Sequence, residues 1–438
     1  MYVSSVTLKS VRGFDNLAWS LSSSDELAGW HVLVGPNGSG KSTFLRAIAL
    51  ALTGPKEAPA ARLHWPSWVR TNAETAKIQL RVQFDPDWDN WSGKGNISSS
   101  KSTEISIRID RDEGVSVSHS GSANRTVWGS GAGWFSVAYG PYRRFSGGDK
   151  ANERIFFTHK RLGRHLSVFG EDVALTESLE WLKEIRFKDL EQRERLEPGQ
   201  LAVSERSGEA NSLSESIRGF INQDGFLPFG ARLESVSSEG VSFVDGSGNV
   251  IPVLELSDGY RSVLSLTFEL IRQLNDCYGP KRLFDSTRTK VICPGVVLID
   301  EVDVHLHPMW QRSIGIWLTR HFPNLQFIVT THSPFICQQV EPSGSLWRLP
   351  APGSDESIRR FSGEALTRVV LGDVLEALNS DLFGGLPGRS DAAIAELEHV
   401  AASNRLRAAS AGISADARSM EEVLRARDSF KSGQSDSE

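Results

Sequence analysis

Cysteine is scarce in this sequence, with three among 438 residues, and the three lie far apart at Cys277, Cys293 and Cys337. None forms the C-x-x-C spacing that is typical of redox and many metal sites. This usage indicates a reducing compartment and predicts that all three thiols belong to the core. Long hydrophobic runs are also missing. Since no stretch of about 18 apolar residues occurs, we expect no transmembrane helix.

Two further features are absent from the sequence. The opening residues M-Y-V-S-S-V-T-L-K-S lack the basic segment and the following apolar segment that mark a secretory signal. We therefore expect a cytoplasmic protein without a membrane partner. Positive charge is not in excess either, because 54 acidic residues outnumber 48 Lys and Arg and give a formal net charge of −6. This balance argues against a surface that binds polyanions everywhere, but it is compatible with a local basic patch.

The most specific motif that is present runs from Val34 to Thr43, V-G-P-N-G-S-G-K-S-T. An apolar strand precedes it and an apolar helical run follows, which is the context that a phosphate-binding P-loop requires. Its glycines let backbone N–H groups surround phosphate oxygens at a helix N-terminus. Lys41 can then reach the β- and γ-phosphates, and the Ser42 hydroxyl can ligate Mg²⁺. The predicted nucleotide-binding residues are Gly35, Pro36, Asn37, Gly38, Ser39, Gly40, Lys41, Ser42 and Thr43, and the expected cofactors are ATP and Mg²⁺.

Two later strands end in residues suited to hydrolysis. The run G-V-V-L-I-D-E, residues 295–301, is four apolar β-formers followed by two carboxylates, the Walker B arrangement. Asp300 would hold Mg²⁺ through its water shell, and Glu301 would orient or deprotonate the attacking water. In Q-F-I-V-T-T-H-S-P, His332 ends a buried strand, where a neutral imidazole can sense or stabilise the γ-phosphate. Glu301, His332 and Lys41 are thus the predicted catalytic residues.

Between these motifs, L-E-L-S-D-G-Y-R-S precedes a long amphipathic helix. Ser257 and the backbone of Gly259 would form an anion site at that helix start. A chain that already has a P-loop does not need this second phosphate site to bind its own nucleotide. The economical interpretation is that Ser257, Asp258 and Gly259 contact a nucleotide held by another copy. The run D-V-H-L-H, residues 303–307, looks like a metal cluster. We interpret it as a dimer-facing loop, because Mg²⁺ prefers oxygen ligands and no third soft ligand is evident.

The order of P-loop, S-x-G before a helix, hydrophobic-D-E, D-V-H-L-H-P and T-T-H-S-P resembles the ABC-type ATPases of the SMC/RecF/OLD group. The resemblance covers most of residues 1–340. More narrowly, the sequence resembles the stand-alone ATPases of Septu and retron-associated anti-phage defence systems. The resemblance implies an α/β head of ABC/SMC type, with a mixed and parallel sheet core, an antiparallel β-layer, a helical insertion and a helical C-terminal region. It also implies that two heads assemble head-to-tail around ATP and that Arg12, in V-R-G-F-D-N-L, lies near the nucleotide.

Two departures from the resembled family stand out. Asp258 and Tyr260 replace the Gly and Gln of transporter-like members, which adds a negative charge near a phosphate site and predicts weak or gated activation in trans. After the strand F-S-V-A-Y-G, the chain continues P-Y-R-R where a Q-loop glutamine would stand. This leaves three alternatives for Arg143 and Arg144: contact with phosphate, contact with a neighbouring head, or another role.

Residues 141–165 hold seven Lys or Arg against two acidic residues, with Phe145, Phe156 and Phe157 between them. This combination suits nucleic-acid backbone contacts and base stacking. A solvated basic face, or arginines that serve nucleotide phosphates, is an equally good interpretation.

The predicted organisation is an ATPase head at 1–340, with inserted loops at 91–133 and a helical insertion at about 150–228. A mainly helical region follows at 341–438, with a disordered tail at about 430–438. Ser118 to Gly133 is expected to be a mobile surface loop because of its Gly and Ser content. Hairpins are predicted at E-I-S-I-R-I-D with V-S-V-S, and at V-S-F-V with V-I-P-V-L.

A nuclease centre of the OLD type would need a Glu and a D-x-D on strand ends, and no D-x-D occurs after Val340. In the resembled systems the nuclease is a separate HNH-type protein, for which the C-terminal helices are an expected docking surface. The function hypothesis is a slow sensor ATPase that oligomerises and controls such a nuclease. The main alternative is a RecF-like DNA-repair ATPase that binds DNA directly. A transporter ATPase is disfavoured by the missing Q-loop glutamine.

Overall fold

The computed structural model describes residues 1–22, 25–93, 101–119, 122–143, 158–170, 177–195, 212–340, 342–354 and 356–384, and short helical stretches between 392 and 403. The chain divides into two compact units, Met1–Gly384 and Gly385–Glu438. All numbered strands and helices below belong to the first unit. In the second, residues 392, 395–396 and 399–403 are helical. The predicted disordered tail lies outside the described residues.

The described residues contain fourteen β-strands. In chain order they are β1 (Tyr2–Val11), β2 (Phe14–Ser20), β3 (Gly29–Val34), β4 (Thr75–Gln83), β5 (Ser102–Asp110), β6 (Gly114–His119), β7 (Ser136–Tyr139), β8 (Arg232–Val236), β9 (Val241–Val244), β10 (Val250–Pro252), β11 (Gly295–Ile299), β12 (Leu325–Thr330), β13 (Gly344–Arg348) and β14 (Arg359–Phe361).

Ten α-helices lie in the described part of the first unit. They are α1 (Lys41–Thr53), α2 (Lys160–Phe169), α3 (Glu177–Arg195), α4 (Leu213–Ile221), α5 (Asp258–Tyr278), α6 (Pro308–Gln311), α7 (Ile314–His321), α8 (Pro334–Cys337), α9 (Gly363–Leu371) and α10 (Val374–Asn379). None of these helices combines the length and the apolar character that crossing a bilayer requires.

The central sheet has six strands in the order β14-β13-β3-β12-β11-β7, of which all but β14 are parallel to their neighbours. Strands β3, β11 and β12 are buried along their whole length. Continuous burial is expected where helices or other layers cover both faces of a parallel sheet. Because the carboxyl ends of parallel strands meet at one edge, this order brings the loops after β3, β11 and β12 together.

An antiparallel layer, β2-β1-β4-β5-β6, packs against α1. Along β4, the apolar side chains of Ile78, Leu80 and Val82 are buried in a shared core with Phe44 and Ile48 of α1. Alternation with a period of two places these side chains on one face of the strand. The predicted hairpin of β5 and β6 is confirmed by their antiparallel pairing. The mixed sheet, this layer and the helices together confirm the predicted fold class.

A small sheet, β10-β9-β8, lies beside α3, α4 and α5. Its pairing confirms the second predicted hairpin, V-S-F-V with V-I-P. The aromatic side chains of Phe220 on α4 and Trp317 on α7 meet edge to face at 5.5 Å in the core between these elements. This part of the chain supplies the start of α5, and with it the S-D-G segment.

Two sequence expectations differ from the structure. Residues 122–133 are not a mobile surface loop, because Ala123 and Val127 are buried and the indole of Trp128 donates to the Ala51 carbonyl oxygen at 2.9 Å. Burial of the large Trp128 side chain fixes this segment to the fold despite its Gly and Ser content. The head also continues past the predicted boundary at 340, because β13 pairs with β3 in the central sheet.

Candidate active site

The P-loop joins β3 to α1 through two residues in the left-handed region, Gly38 (φ 80°) and Gly40 (φ 91°). A side chain at either position would be strained. At Gly40 a Cβ atom would also overlap the ring of Phe14. A glycine-rich loop of this kind at the N-terminus of a helix can surround phosphate oxygens with backbone N–H groups. Ser42 and Thr43 follow as the second and third residues of α1.

Lys41 is buried at the first position of α1, and its Nζ donates to the carbonyl oxygens of Gly35 (2.8 Å) and Pro36 (3.2 Å). Burial lowers the pKa of Lys41, and the charges of Glu301 and Asp300 oppose this shift. The loop thus brings a desolvated cation into the field of the Walker B carboxylates. Within the described part of the chain, the buried Oγ of Ser39 has no hydrogen-bond partner. Phosphate oxygens fit this set of donors, and the Ser42 hydroxyl and the Asp300 carboxylate are the kind of oxygen ligands that Mg²⁺ prefers.

Asp300 and Glu301 directly follow β11, and both are tied to the last residue of the neighbouring strand β12. The Thr330 hydroxyl donates to Asp300 Oδ1 at 2.6 Å and accepts the backbone N–H of Glu301 at 2.8 Å. Asp300 is buried, whereas Glu301 is partly exposed and has a positive φ of 47°. The Thr330 hydroxyl therefore orients the Asp300 carboxylate and holds the backbone of Glu301. The sequence analysis quoted Thr330 inside a motif without giving it a role.

His332 lies two residues beyond the end of β12, and its backbone N–H donates to Asp303 Oδ1 at 3.4 Å. The Thr331 hydroxyl donates to the same carboxylate oxygen at 2.5 Å. Although the ring reaches the surface, partial burial and the charge of Lys41 lower the pKa of His332, against the opposing charges of Asp303 and Glu301. This shift favours the neutral imidazole, which is the form that the predicted role uses. Asp303, which the sequence analysis placed in the D-V-H-L-H run, thus holds the loop of His332 through these two hydrogen bonds.

The histidines of the same run have separate positions. His305 has a positive φ of 65°, and His307 caps α6 by accepting the Met309 N–H at its Nδ1 (3.3 Å). No group of three His, Cys, Asp or Glu side chains in the described residues is arranged to hold a metal. Residues 303–305 form a turn, and the dimer-facing position of this loop stays a prediction.

The structure favours the third alternative for Arg143, a role other than contact with phosphate or with a neighbouring head. Arg143 is buried, and its guanidinium is surrounded by the backbone carbonyl oxygens of the turn after β11. Burial lowers the pKa of Arg143 to about 10, so the side chain stays cationic at pH 7. Contact with phosphate or with a neighbouring head is therefore wrong for Arg143, because its donors are already used inside the protein. Arg144 lies outside the described residues.

The basic segment 141–165 is also not a continuous charged surface where the structure describes it. The Arg161 guanidinium pairs with Glu57 at 2.8 Å and donates to the carbonyl oxygens of Thr53 and Trp128. Arg164 lies over the ring of Phe135 at 5.5 Å. Residues 144–157, with the three interleaved phenylalanines, are outside the described residues. Arg143 and Arg161 thus contribute to the fold and not to a nucleic-acid surface.

Ser257 is the N-cap residue of α5, but its side chain makes no capping hydrogen bond. The Asp258 carboxylate is paired with Arg261 one turn along the helix. Gly259 packs tightly, since a Cβ there would lie 2.9 Å from Cζ3 of Trp310. Tyr260, the second departure from transporter-like members, donates its hydroxyl to the Pro228 carbonyl oxygen at 3.0 Å. The S-D-G segment is therefore docked against the loop that follows the Walker B strand.

Arg12 has a positive φ of 49°, and its guanidinium lies 4.6 Å above the ring of Trp68. Burial and the nearby charge of Arg46 on α1 lower its pKa. In the described part of the chain its buried Nε has no hydrogen-bond partner. Two cations beside the P-loop helix favour an anion, so the contact between Arg12 and nucleotide stays a prediction that this geometry supports.

The arrangement at the edge of the central sheet can be compared with known proteins. A sequence model of the family described as "AAA domain, putative AbiEii toxin, Type IV TA system" matches residues 31–78 and 99–338. These stretches exceed half of the chain and contain the P-loop, the S-D-G segment, the Walker B carboxylates and His332. The chain belongs to this AAA family.

This AAA-family chain has named relatives. It is 38% identical to the Retron Ec83 probable ATPase of Escherichia coli over 124 residues, which cover 28% of the chain and 22% of that protein. It is 27% identical to the Septu protein PtuA of Bacillus mycoides (strain KBAB4) over 331 residues, covering 74% of the chain and 37% of that protein. These matches confirm the resemblance to Septu and retron ATPases. They span well under half the length of either relative.

Among solved structures, the Smc head bound to the C-winged helix domain of ScpA aligns with the AAA-family chain at a TM-score of 0.47 and 17% identity. The alignment covers 84% of this chain and all of that one.

Proposed function

We propose that this protein binds and slowly hydrolyses ATP as the sensor of an anti-phage defence complex, in which it controls a separate HNH-type nuclease. The observation that carries the proposal is the meeting of Lys41, Asp300, Glu301 and His332 at one edge of the central sheet, within one another's electrostatic field. The names of the relatives, a retron probable ATPase and a Septu protein, support the placement in defence.

Each predicted site residue has a role in the proposed reaction. Lys41 and backbone N–H groups at the N-terminus of α1 bind the β- and γ-phosphates. Ser42 and Asp300 would hold Mg²⁺, which neutralises charge that develops on the phosphate oxygens. Glu301 orients the attacking water and accepts its proton. Neutral His332 donates a hydrogen bond toward the γ-phosphate oxygens.

The proposed site is completed by a second copy of the chain. The Ser257 hydroxyl is not used to cap its own helix, so it is available to an acceptor outside α5. Because α5 begins there, its N-terminal N–H groups favour an anion as well. Asp258 is neutralised in part by Arg261, which reduces its repulsion of a phosphate. In this proposal two heads meet head-to-tail, and Ser257, Asp258 and Gly259 of one head face the nucleotide of the other.

Control of a separate nuclease is part of this proposal and is supported by the names of the relatives, a Septu protein and a retron probable ATPase. ATP occupancy would hold the assembly in one state, and hydrolysis or nucleotide depletion would release the nuclease. Direct DNA binding by residues 141–165, the rival function, loses support because Arg143 and Arg161 are engaged inside the fold.

The test is the variant Glu301→Gln. Removing the base should lower the hydrolysis rate at least 100-fold while ATP stays bound, and the trapped nucleotide should favour the oligomer. Phosphate release and size-exclusion chromatography with light scattering measure the two effects. Glu364→Gln, an exposed carboxylate in an ion pair on α9, is the matched control. Hydrolysis by Glu301→Gln at the wild-type rate would show that Glu301 is not the base.

The nuclease link has its own experiment. The chain is co-expressed with the product of each neighbouring open reading frame, and with a co-purifying HNH-type protein the cleavage of DNA, RNA and tRNA is followed with ATP, with ADP and without nucleotide. We expect cleavage to depend on the nucleotide state and to be blocked in the ATP-trapped Glu301→Gln complex. Cleavage that is equal in all nucleotide states would rule out control by this ATPase.

A further inference from the structure

The guanidinium group of Arg143 lies beneath the turn that carries Glu301. Its Nη1 and Nη2 atoms donate to five backbone carbonyl oxygens, those of Gly140 (3.0 Å), Asp300 (3.1 Å), Glu301 (3.3 Å), Val302 (3.2 Å) and Val304 (3.4 Å). The planar guanidinium has five N–H donors in a fixed fork, and a lysine ammonium has three on a flexible stem. One arginine side chain therefore determines the path of the chain from Asp300 to Val304.

This turn needs support because Glu301 has a positive φ of 47°. A residue with a Cβ atom is strained in the left-handed region, and such strain persists only where the surroundings over-determine it. Here the carbonyl groups of Asp300 and Glu301 both point at Arg143, while the Glu301 N–H binds the Thr330 hydroxyl. The Glu301 backbone is thus held at both its N–H and its carbonyl group.

A sixth contact connects the turn to α5. The Nε atom of Arg143 lies 3.4 Å from the Ser262 hydroxyl oxygen, and Ser262 is in the first turns of the helix that begins after Ser257. The same side chain thus contacts the start of the helix that carries the S-D-G segment and the backbone of the predicted catalytic base. Movement of α5 relative to β11 would change the position of this guanidinium and, with it, the turn.

We propose that Arg143 is a positioning residue that holds Glu301 in its reactive orientation and couples that orientation to the position of α5. The inference rests on the proposed ATPase function, and Arg143 acts through Glu301 and not on the nucleotide. When a second head engages the S-D-G segment, the link through Ser262 passes the displacement of α5 to the Glu301 turn. The long sequence separation, with Arg143 more than 150 residues before Glu301, explains why the motif pattern did not reveal it.

The test replaces Arg143 by Lys, which keeps the charge and loses the fork. We expect the turnover rate with ATP to fall about tenfold or more, because small displacements of a catalytic group are costly. The affinity for ATP should stay within about twofold, since the P-loop is unchanged. The matched control is Arg111→Lys, because Arg111 also binds several backbone carbonyl oxygens, those of Ala73, Val69, Arg70 and Thr71.

A double-mutant cycle separates positioning from general damage. If Arg143 acts through Glu301, adding Arg143→Lys to Glu301→Gln should change the residual single-turnover rate by less than about twofold. An equal loss in both backgrounds would overturn the proposal. The proposed ATPase function is tested independently of Arg143. If Glu301→Gln alone hydrolysed ATP at the wild-type rate, the assignment of Glu301 as the base would be wrong, regardless of the effect of Arg143→Lys.

A measurement without nucleotide completes the test. Hydrogen–deuterium exchange of peptides covering 300–306 should be faster in Arg143→Lys than in wild type or Arg111→Lys, because the turn opens more often. Unchanged exchange there would overturn the positioning role. If Arg143→Lys yields no folded protein, Ser262→Ala carries the same cycle. Ser262→Ala removes only the contact to Nε of Arg143. We expect the turnover rate to fall about threefold, and this loss should disappear in the Glu301→Gln background. A loss that persists in that background would overturn the coupling.

Discussion

At the scale of single residues, the Thr330 hydroxyl is the smallest group on which the candidate site depends. It donates to Asp300 Oδ1 and accepts the backbone N–H of Glu301, so it contacts the carboxylate of the first residue and the backbone of the second. We expect Thr330→Val, which keeps the shape and removes the hydroxyl, to weaken Mg²⁺-dependent ATP hydrolysis roughly 10- to 100-fold, as loss of outer-shell partners does at metal sites. Steady-state kinetics over a Mg²⁺ titration measure this effect.

Two controls accompany that prediction. Thr330→Ser retains the hydroxyl and should keep most of the activity. Thr319→Val removes a hydroxyl that donates to the Gly315 carbonyl oxygen within α7, away from the carboxylates, and should leave the Mg²⁺ dependence unchanged. If Thr330→Val hydrolysed ATP with wild-type Mg²⁺ dependence, Thr330 would have no part in orienting Asp300.

The residues that sequence reasoning found, and those it missed, differ in how their chemistry is encoded. Lys41, Asp300 and Glu301 stand inside local patterns, a glycine-rich loop and a strand ending in carboxylates, where spacing alone predicts the role. Arg143 acts through backbone carbonyl groups, which every residue possesses, so no pattern of residue types marks its partners. Its neighbours in the sequence suggested a basic patch, and only the fold separates the buried arginine from that patch.

At the scale of elements, an ion pair connects the entry to β3 with the edge strand β14. Arg360 donates from both Nη atoms to the two Asp25 carboxylate oxygens at 2.7 Å, and this hydrogen bonding lowers the pKa of Asp25 to about 2. At pH 7 we expect Asp25→Asn to reduce the free energy of unfolding by about 1 kcal/mol, a value discounted for partial exposure. Urea denaturation measures the difference.

The pH dependence of that effect has a defined sign. The pKa of Asp25 is lower in the folded chain than its ordinary value of 3.8, so the stabilisation is fully present above about pH 4 and is lost as the pH falls toward 2. The gap between wild type and Asp25→Asn should therefore be constant from pH 7 to 5 and smaller at pH 3. A gap that widened on acidification would contradict the ion-pair account.

Elements were predictable where one face of a strand is buried and the other is not. The alternation in β4 and the turn residues between β9 and β10 encode structure locally, and both predictions are confirmed. The segment 122–133 was mispredicted because its anchoring contact, the Trp128 indole on the Ala51 carbonyl group, joins residues 77 positions apart. Strand β13 was missed as part of the head for the same reason, since its partner β3 lies about 300 residues earlier.

At the scale of the whole molecule, the proposed assembly makes each ATP site a property of two chains. The contributions of the P-loop and the S-D-G segment can then be separated by mutation. Lys41→Ala destroys the ATP site on the mutated head itself, whereas Ser257→Ala damages the ATP site on its partner. Each variant alone should be nearly inactive in ATP hydrolysis. Neither change is expected to unfold the head, since Ser257 makes no capping bond and the side-chain hydrogen bonds of Lys41 go to carbonyl oxygens of its own loop.

Mixing the two variants tests this arrangement. In a dimer of one Lys41→Ala head and one Ser257→Ala head, the intact P-loop of the second faces the intact Ser257 of the first, so one of two sites is complete. If heads exchange randomly from an equal mixture, half of the dimers are mixed and about a quarter of the wild-type rate should return. Phosphate release after mixing, with each variant alone as the baseline, measures the recovery. If each site were instead completed within one chain, exchange of heads could not supply the missing lysine or serine. The mixture would then release phosphate at the average rate of the two variants.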